Sequence, residues 1–183
     1  TIHNSTSEKN AGLTVKDGKV IIFQNDGTEK AITYNADGSF GSAWEDYTGF
    51  KFNEIETATP LQDVVYSASH NRLYVKANDG TNNVYIYEND ATESKNNTLV
   101  GTFALKSVSG ASFKRMTVSG NYILANYSGD GVYSPKLAIY TTNGEYLFTT
   151  SLDYSVDEIS RDVDFGTYGS NNTTKSCTQG ILY

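Results

Sequence analysis

Cysteine, basic charge and long apolar runs are all scarce in this sequence, and each scarcity excludes a class of protein. The single cysteine, Cys177, rules out a disulfide within the chain and any metal site built from several cysteines. The 14 basic residues are outnumbered by 21 acidic ones, and the net charge of −7 argues against nucleic acid as a partner, because such binding needs a basic patch. No apolar run approaches the roughly 18 residues of a transmembrane helix, so we expect no insertion into a membrane.

Helical periodicity is missing as well. No window of ten or more residues keeps apolar residues at the i, i+3, i+4 and i+7 spacing of an amphipathic helix. Instead the 183-residue chain is rich in tyrosine (14) and glycine (16), with short apolar runs between turn residues. This composition favours β-strands, and the length suffices for a domain with its own core. The sequence therefore predicts an all-β protein.

A repeat of about 53 residues runs through these strands. The segments 31–40, 84–93 and 137–146 each hold an apolar run that ends in a tyrosine, at Tyr34, Tyr87 and Tyr140. The tetrapeptide Asn-Asp-Gly-Thr at 25–28 returns at 78–81. Asp-Gly and Asn-Gly pairs after the runs indicate hairpin turns in which both residues accept a positive φ.

Each repeat can be divided into four short strands, which is the pattern of a β-propeller blade. The predicted units are about 12–60, 61–109, 110–158 and a partial fourth at 159–183. In the first unit the fourth strand is weak and is placed at 39–44. The alternative is an antiparallel β-sandwich with similar hairpins. Propellers usually have four to eight blades, so about three and a half repeats predict that a missing segment of a longer polypeptide, or another chain, completes the ring.

The best-formed blade, Ser112–Leu152, reads SFKRMTVSGNYILANYSGDGVYSPKLAIYTTNGEYLFTTSL. It resembles blades of irregular propellers in secreted and surface lipoproteins of the Bacteroides type. The resemblance covers one blade well and two more loosely. It implies display at the cell surface and binding of glycans or proteins, and it carries over no catalytic residue.

Motifs for catalysis or cofactor binding are lacking, so no cofactor and no metal are predicted. His3 and His70 have no partner in a recognisable catalytic or metal-binding spacing. The Asp-Gly loops are too short for an EF-hand-like calcium site and are predicted as turns. Asp162 and Asp164 alternate along a predicted innermost strand, where both would face the central channel and could contact a ligand.

An aromatic segment between the first two units is the main candidate site. It contains Trp44, Tyr47, Phe50 and Phe52, and the neighbouring polar residues are Glu45, Asp46 and Asn53. Aromatic faces stack on sugars while polar groups fix the hydroxyls, which predicts a ligand site. The alternative is that these aromatic residues fill the core between blades.

Taken together, the sequence predicts a non-catalytic binding module for glycan or protein ligands, secreted or exposed at the cell surface. One alternative is a polysaccharide-active hydrolase or lyase, with paired carboxylates such as Asp162 and Asp164. Another is a structural subunit of a surface assembly in which sheet edges pair between chains.

Overall fold

Short antiparallel strands make up the fold. The structure, a computed structural model, describes residues 10–50, 60–92, 95–129 and 136–151. None of these residues is helical. The strands are β1 (Asn10–Lys16), β2 (Lys19–Gln24), β3 (Glu29–Thr33), β4 (Glu45–Tyr47), β5 (Leu61–Ser67), β6 (Arg72–Ala77), β7 (Asn83–Glu88), β8 (Thr98–Ala104), β9 (Ala111–Ser119), β10 (Tyr122–Gly129), β11 (Lys136–Thr141) and β12 (Tyr146–Ser151).

The described strands form three four-stranded antiparallel sheets, each with its strands in chain order. We call β1–β4 blade 1, β5–β8 blade 2 and β9–β12 blade 3. The chain divides into two compact units: unit 1, Thr1–Ala104, holds blades 1 and 2, and unit 2, Leu105–Tyr183, holds blade 3. The predicted all-β fold of propeller-like blades is confirmed, while the partial fourth unit at 159–183 lies outside the described residues.

A tight turn whose two residues have positive φ joins β1 and β2 in blade 1. Asp17 (φ 50°) and Gly18 (φ 68°) form a two-residue turn between the paired residues Lys16 and Lys19. Few residue types other than glycine, asparagine and aspartate accept positive φ, which explains why the Asp-Gly pair predicts this hairpin.

The other Asp-Gly and Asn-Gly loops differ from the prediction in one respect. At Asp37-Gly38 and Asn143-Gly144 only the glycine has positive φ. The Gly38 amide donates to the Asn35 carbonyl (3.0 Å), and the Asn35 amide donates to the Ser39 carbonyl (2.9 Å). This is a three-residue hairpin loop with a glycine bulge rather than a two-residue turn.

The repeated Asn-Asp-Gly-Thr loops are turns, as predicted. Asp26 Oδ1 accepts hydrogen bonds from the Thr28 amide (2.9 Å) and the Thr28 hydroxyl (2.7 Å). Asp79 Oδ1 accepts the same two bonds from Thr81 at the same distances. The carboxylates hold their own loops in shape.

The strand register shows that Tyr34 is not structurally equivalent to Tyr87 and Tyr140, although the sequence repeat aligned the three. Tyr87 pairs with Leu73 and Tyr140 with Ile123, but the matching pair in blade 1 is Val20 with Ile32. Tyr34 lies two residues beyond that position, just past the end of β3. The reason is loop length: five residues separate the paired Phe23 and Glu29, and seven separate the paired Lys76 and Val84.

The fourth strand of blade 1 also lies later than predicted. Tyr34 and Phe40 form an isolated bridge, and the Gly41 amide donates to the Thr33 carbonyl (2.9 Å). The chain then leaves the sheet and pairs again only at β4, where Glu45 lies opposite Ala31. The predicted strand at 39–44 is therefore a hairpin end followed by a bulge.

The core of unit 1 lies between its two blades. Its buried residues are Ala11, Ile21, Phe23, Ala31, Phe50, Leu61, Val64, Leu73, Val75, Ala77 and Tyr87. Gly12 allows β1 to approach β5 closely, because a Cβ at Gly12 would overlap the backbone carbonyl of Val64. The Leu61 amide donates to the Asn25 carbonyl (2.7 Å), which adds a backbone link between the blades.

Candidate functional site

Four residues of unit 1 form a contiguous group that we call the aromatic cluster: Lys16, Tyr47, Phe50 and Tyr66. Lys16 ends β1, Tyr47 ends β4, Phe50 follows three residues later, and Tyr66 lies near the end of β5. Phe50 is 1% exposed, whereas Tyr47 and Tyr66 are half-buried and pack against the core. The cluster therefore extends from the core to the surface.

Ring contacts hold the cluster together. The centroid of Phe50 lies 5.0 Å from that of Tyr66, 5.3 Å from Phe23 and 5.5 Å from Tyr47, all in tilted arrangements. The Lys16 ammonium lies 5.1 Å from the Phe50 centroid and 5.8 Å from the Tyr66 centroid. These are cation–π distances, so Lys16 is attracted to the two rings while its side chain stays 23% exposed.

Polar groups border these rings. Lys16 Nζ lies 3.7 Å from the Asp17 carboxylate. The Tyr66 hydroxyl donates to Asn71 Oδ1 (3.2 Å), which also accepts from Asn89 Nδ2 (3.0 Å). The cluster thus combines an ammonium group, a phenol and side-chain amides beside aromatic rings.

Burial raises the pKa of the Tyr47 hydroxyl, and the charges of Asp17 and Glu29 raise it further. The phenol therefore stays protonated at neutral pH. A neutral phenol can both donate and accept a hydrogen bond, which suits recognition of an uncharged hydroxyl group.

The structure divides the predicted aromatic site between two sides of a sheet. Tyr47 faces the core, where its ring contacts Phe50. Asp46 is the next residue in the same strand and so points to the opposite side, where it is exposed and forms an ion pair with Lys30. Trp44 is half-buried and immediately precedes β4.

The other predicted site residues are not described by the structure. Asn53, Asp162 and Asp164 lie outside the described residues, as does Phe52. Their assignment as ligand contacts stays a prediction.

Lys16 and Tyr66 were not among the predicted site residues. Both lie in ordinary strands far from Trp44 in sequence, and their meeting depends on how β1 and β5 pack. The available signal was the alternation of β5, which places Tyr66 on the same side as the buried Val64.

Unit 2 contains a second group of tyrosines, around Lys106. The Tyr127 hydroxyl donates to the Lys106 carbonyl (2.9 Å), and the Lys106 amide donates to the Tyr140 hydroxyl (2.7 Å). Burial, together with the hydrogen bond to Tyr140, raises the pKa of Tyr127 strongly. The Lys106 ammonium lies 5.4 Å from the ring centroid of Tyr146. These bonds fix the segment that enters blade 3.

A buried lysine and a buried asparagine also belong to turns. Lys76 is 4% exposed and its ammonium donates to the carbonyls of Ala77 and Thr81. Burial lowers the pKa of Lys76, and the Asp79 carboxylate opposes this shift. Asn97, 2% exposed, accepts a bond from the Ala91 amide (2.7 Å) in the loop between β7 and β8.

Two titratable side chains of unit 1, Asp90 and His70, also have their polar contacts within their own loops. Hydrogen bonds from Lys95 and Thr98 lower the pKa of Asp90 to about 2. His70 Nδ1 lies 3.0 Å from the hydroxyls of both Ser67 and Ser69 in the β5–β6 turn.

Within the described ranges no three histidine, cysteine or acidic side chains converge in a way that could hold a metal ion. The same ranges contain no helix with the length and hydropathy to cross a membrane.

Comparisons with known proteins point to solved propeller structures. No protein-family model matches the chain, and no curated protein matches it. Sqt1 of Saccharomyces cerevisiae is similar with a TM-score of 0.43 and 14% identity, over 75% of this chain and 34% of that one. The β-propeller domain of Cps50 (Swd1) of Myceliophteria thermophila has a TM-score of 0.45 and 13% identity, over 78% of this chain and 41% of that one.

A quinoprotein alcohol dehydrogenase-like protein of Bacteroides thetaiotaomicron is also similar, with a TM-score of 0.36 and 18% identity, over 74% of this chain and 31% of that one. The chain spans less than half the length of each of these structures.

Proposed function

We propose that this protein is a non-catalytic binding module, secreted or displayed at the cell surface, and that it binds a glycan at the aromatic cluster. The observation that carries the proposal is the pair of half-buried tyrosines, Tyr47 and Tyr66, on either side of the Phe50 ring, with the Lys16 ammonium 5.8 Å from the Tyr66 ring centroid. Tyrosine offers an apolar ring face for the C–H groups of a sugar and a hydroxyl for its oxygens. The proposed location rests on the resemblance of Ser112–Leu152 to surface lipoprotein propellers.

The core supports the cluster in a fixed geometry. Phe50 is buried beneath the two tyrosines and contacts both of their rings. Both tyrosines also belong to strands, which hold side chains more precisely than loops do. A ligand would therefore meet groups that are already ordered, and less side-chain entropy would be lost on binding.

The proposal is tested by a glycan array followed by calorimetry with the strongest glycan. Lys16→Met and Tyr66→Phe each remove one polar group and keep most of the apolar bulk. We expect each to weaken binding about tenfold, in line with about 1.5 kcal/mol for a lost hydrogen bond or cation contact. The control Lys30→Met removes a cation on the opposite side of blade 1 and should leave affinity unchanged.

Two results would contradict the proposal. Absence of binding to any glycan at millimolar concentration would reject the ligand class. Binding that is lost in Trp44→Ala or Asp46→Asn but kept in Lys16→Met would place the glycan on the other side of the sheet, at the residues predicted from the sequence.

A further inference from the structure

Two lysines flank the turn between β1 and β2, and we call them the lysine pair: Lys16 and Lys19. They lie directly opposite each other in the register, on either side of Asp17 and Gly18. Directly opposite side chains lie on the same side of a sheet, with their Cβ atoms about 5 Å apart. The Lys16 ammonium contacts the Phe50 ring, so this side of the sheet is the side of the aromatic cluster. Lys19, which is half-buried, is therefore a second cation beside the cluster.

The lysine pair has little negative charge to balance it. Among the described residues, Asp17 is the one carboxylate within ion-pair distance of either ammonium group; it lies 3.7 Å from Lys16 Nζ and its side chain is 80% exposed. That distance is too long for a hydrogen bond. Two cations and one carboxylate leave a net charge of +1 at this turn, and like charges directly opposite each other in a sheet are unfavourable.

Other cations of unit 1 are balanced in the usual way. Lys30 forms an ion pair with Asp46 across β3 and β4. Arg72 forms one with Glu88 across β6 and β7, at 2.8 Å. The lysine pair departs from this arrangement, and uncompensated departures from local rules concentrate at functional sites. A ligand can supply the acceptor that the described part of the chain does not.

The buried acid of the aromatic cluster lies at the other end of the sheet. Glu29 is opposite both Phe23 and Tyr47 in the register. Phe23 is four residues from Lys19 along β2, which is roughly 13 Å at the usual rise per residue. Glu29 therefore lies beside Tyr47 and far from the lysine pair. The cluster has a cationic end at the lysine pair and a neutral, hydrogen-bonding end at Tyr47.

We propose that the glycan bound at the aromatic cluster is acidic, and that its carboxylate or sulfate group accepts hydrogen bonds from the Lys16 and Lys19 ammonium groups. This inference rests on the proposed function and adds the chemical class of the ligand to it. An anionic group neutralises the excess charge of the lysine pair, and hydrogen bonds between ionised groups are stronger than neutral ones. The sugar that carries the group lies against Tyr66, whose ring centroid is 5.8 Å from the Lys16 ammonium.

A glycan array that contains neutral and acidic glycans, followed by calorimetry, tests the ligand class. We expect the strongest glycan to be acidic. Its neutral derivative, with carboxylates methyl-esterified or sulfates removed, should bind at least about tenfold more weakly, because the charge-assisted bonds are lost. The treatment that weakens binding identifies the anionic group. Raising the salt concentration from about 0.02 to 0.5 M should weaken binding of the acidic glycan and leave that of the derivative nearly unchanged.

Variants of Lys19 test the contact itself. Lys19→Met should weaken binding of the acidic glycan about tenfold and change binding of the neutral derivative less than about twofold, because only the acidic form uses the charge. Lys19→Arg keeps the charge and should restore most of the affinity. Lys30→Met is the matched control, because it removes the same charge from the opposite side of blade 1, and it should bind as the wild type does.

The outcomes separate this inference from the function on which it rests. If a neutral glycan binds most strongly, or if the neutral derivative binds as well as its acidic parent, the glycan function stands and the acidic class is wrong. Equal losses of both forms in Lys19→Met would also overturn the inference, since Lys19 would then shape the cluster rather than bind the anion. If no glycan binds, the proposed function itself fails, and the inference with it. The comparison of the two ligands on the wild-type chain decides even if Lys19→Met does not fold.

Discussion

Replacing Phe50 with alanine should strongly destabilise unit 1. Phe50 follows the edge strand β4, yet it is 1% exposed and contacts the rings of Phe23, Tyr47 and Tyr66 at 5.0–5.5 Å. Truncating a buried phenylalanine typically lowers the free energy of unfolding by about 3–5 kcal/mol, through lost transfer energy and the cavity left behind. We expect a value in the upper half of this range, because three aromatic contacts and the Lys16 cation–π contact disappear together.

Urea unfolding followed by tyrosine fluorescence and circular dichroism measures this effect. A loss of about 4 kcal/mol corresponds to a midpoint shift of roughly 2 M for an m-value near 2 kcal/mol/M. Phe40→Ala is the control, since Phe40 is 58% exposed and Tyr34 is its one ring partner among the described residues. Phe40→Ala should change the free energy of unfolding by less than about 1 kcal/mol. If the two variants are equally stable, Phe50 is not part of the core and the packing of blades 1 and 2 described above is wrong.

Two further substitutions test close packing in each unit. Gly12→Ala should destabilise unit 1 by about 1–3 kcal/mol or more, because the new methyl group meets the β5 backbone, which cannot rotate away. Gly101→Ala has ordinary contact space and should change the free energy of unfolding by less than about 0.5 kcal/mol. Tyr127→Phe should destabilise unit 2 by about 0.5–1.5 kcal/mol, since it removes the 2.9 Å hydrogen bond from the Tyr127 hydroxyl to the part-buried Lys106 carbonyl. Tyr122→Phe, at a 50% exposed site, should have little effect. If Gly12→Ala unfolds at the same urea concentration as Gly101→Ala, the close approach of β1 to β5 is wrong. If Tyr127→Phe unfolds at the same concentration as Tyr122→Phe, the hydrogen bond from Tyr127 to Lys106 does not contribute to stability.

The blade pattern could be predicted because local signals carry it. Alternating apolar residues fix which side of each strand is buried, and Asp17-Gly18 fixes the first hairpin through its positive φ values. These signals act within about 20 residues of sequence, so four-stranded antiparallel sheets follow from them almost directly. The order of strands in the described sheets matches the predicted order for this reason.

Register and the site could not be predicted in the same way. A repeat of 53 residues aligned Tyr34 with Tyr87, but two extra residues in the β6–β7 loop shift the true match to Ile32. Sequence spacing counts loop residues and strand residues alike, whereas register depends only on the paired ones. The contact of Lys16 with Tyr66 joins two blades, and no local pattern encodes which strands of different sheets approach each other.

The two interpretations of the aromatic segment, ligand site and core, are not exclusive once the geometry is considered. Phe50 is entirely core, and Tyr47 touches it while keeping part of its surface in solvent. An alanine substitution at Tyr47 would therefore lower stability and binding together, and could not distinguish the two roles. Tyr47→Phe keeps the ring contact and removes only the hydroxyl, so a change in glycan affinity without a change in unfolding midpoint would isolate recognition from packing. A change in the midpoint alone would assign the Tyr47 hydroxyl to the fold.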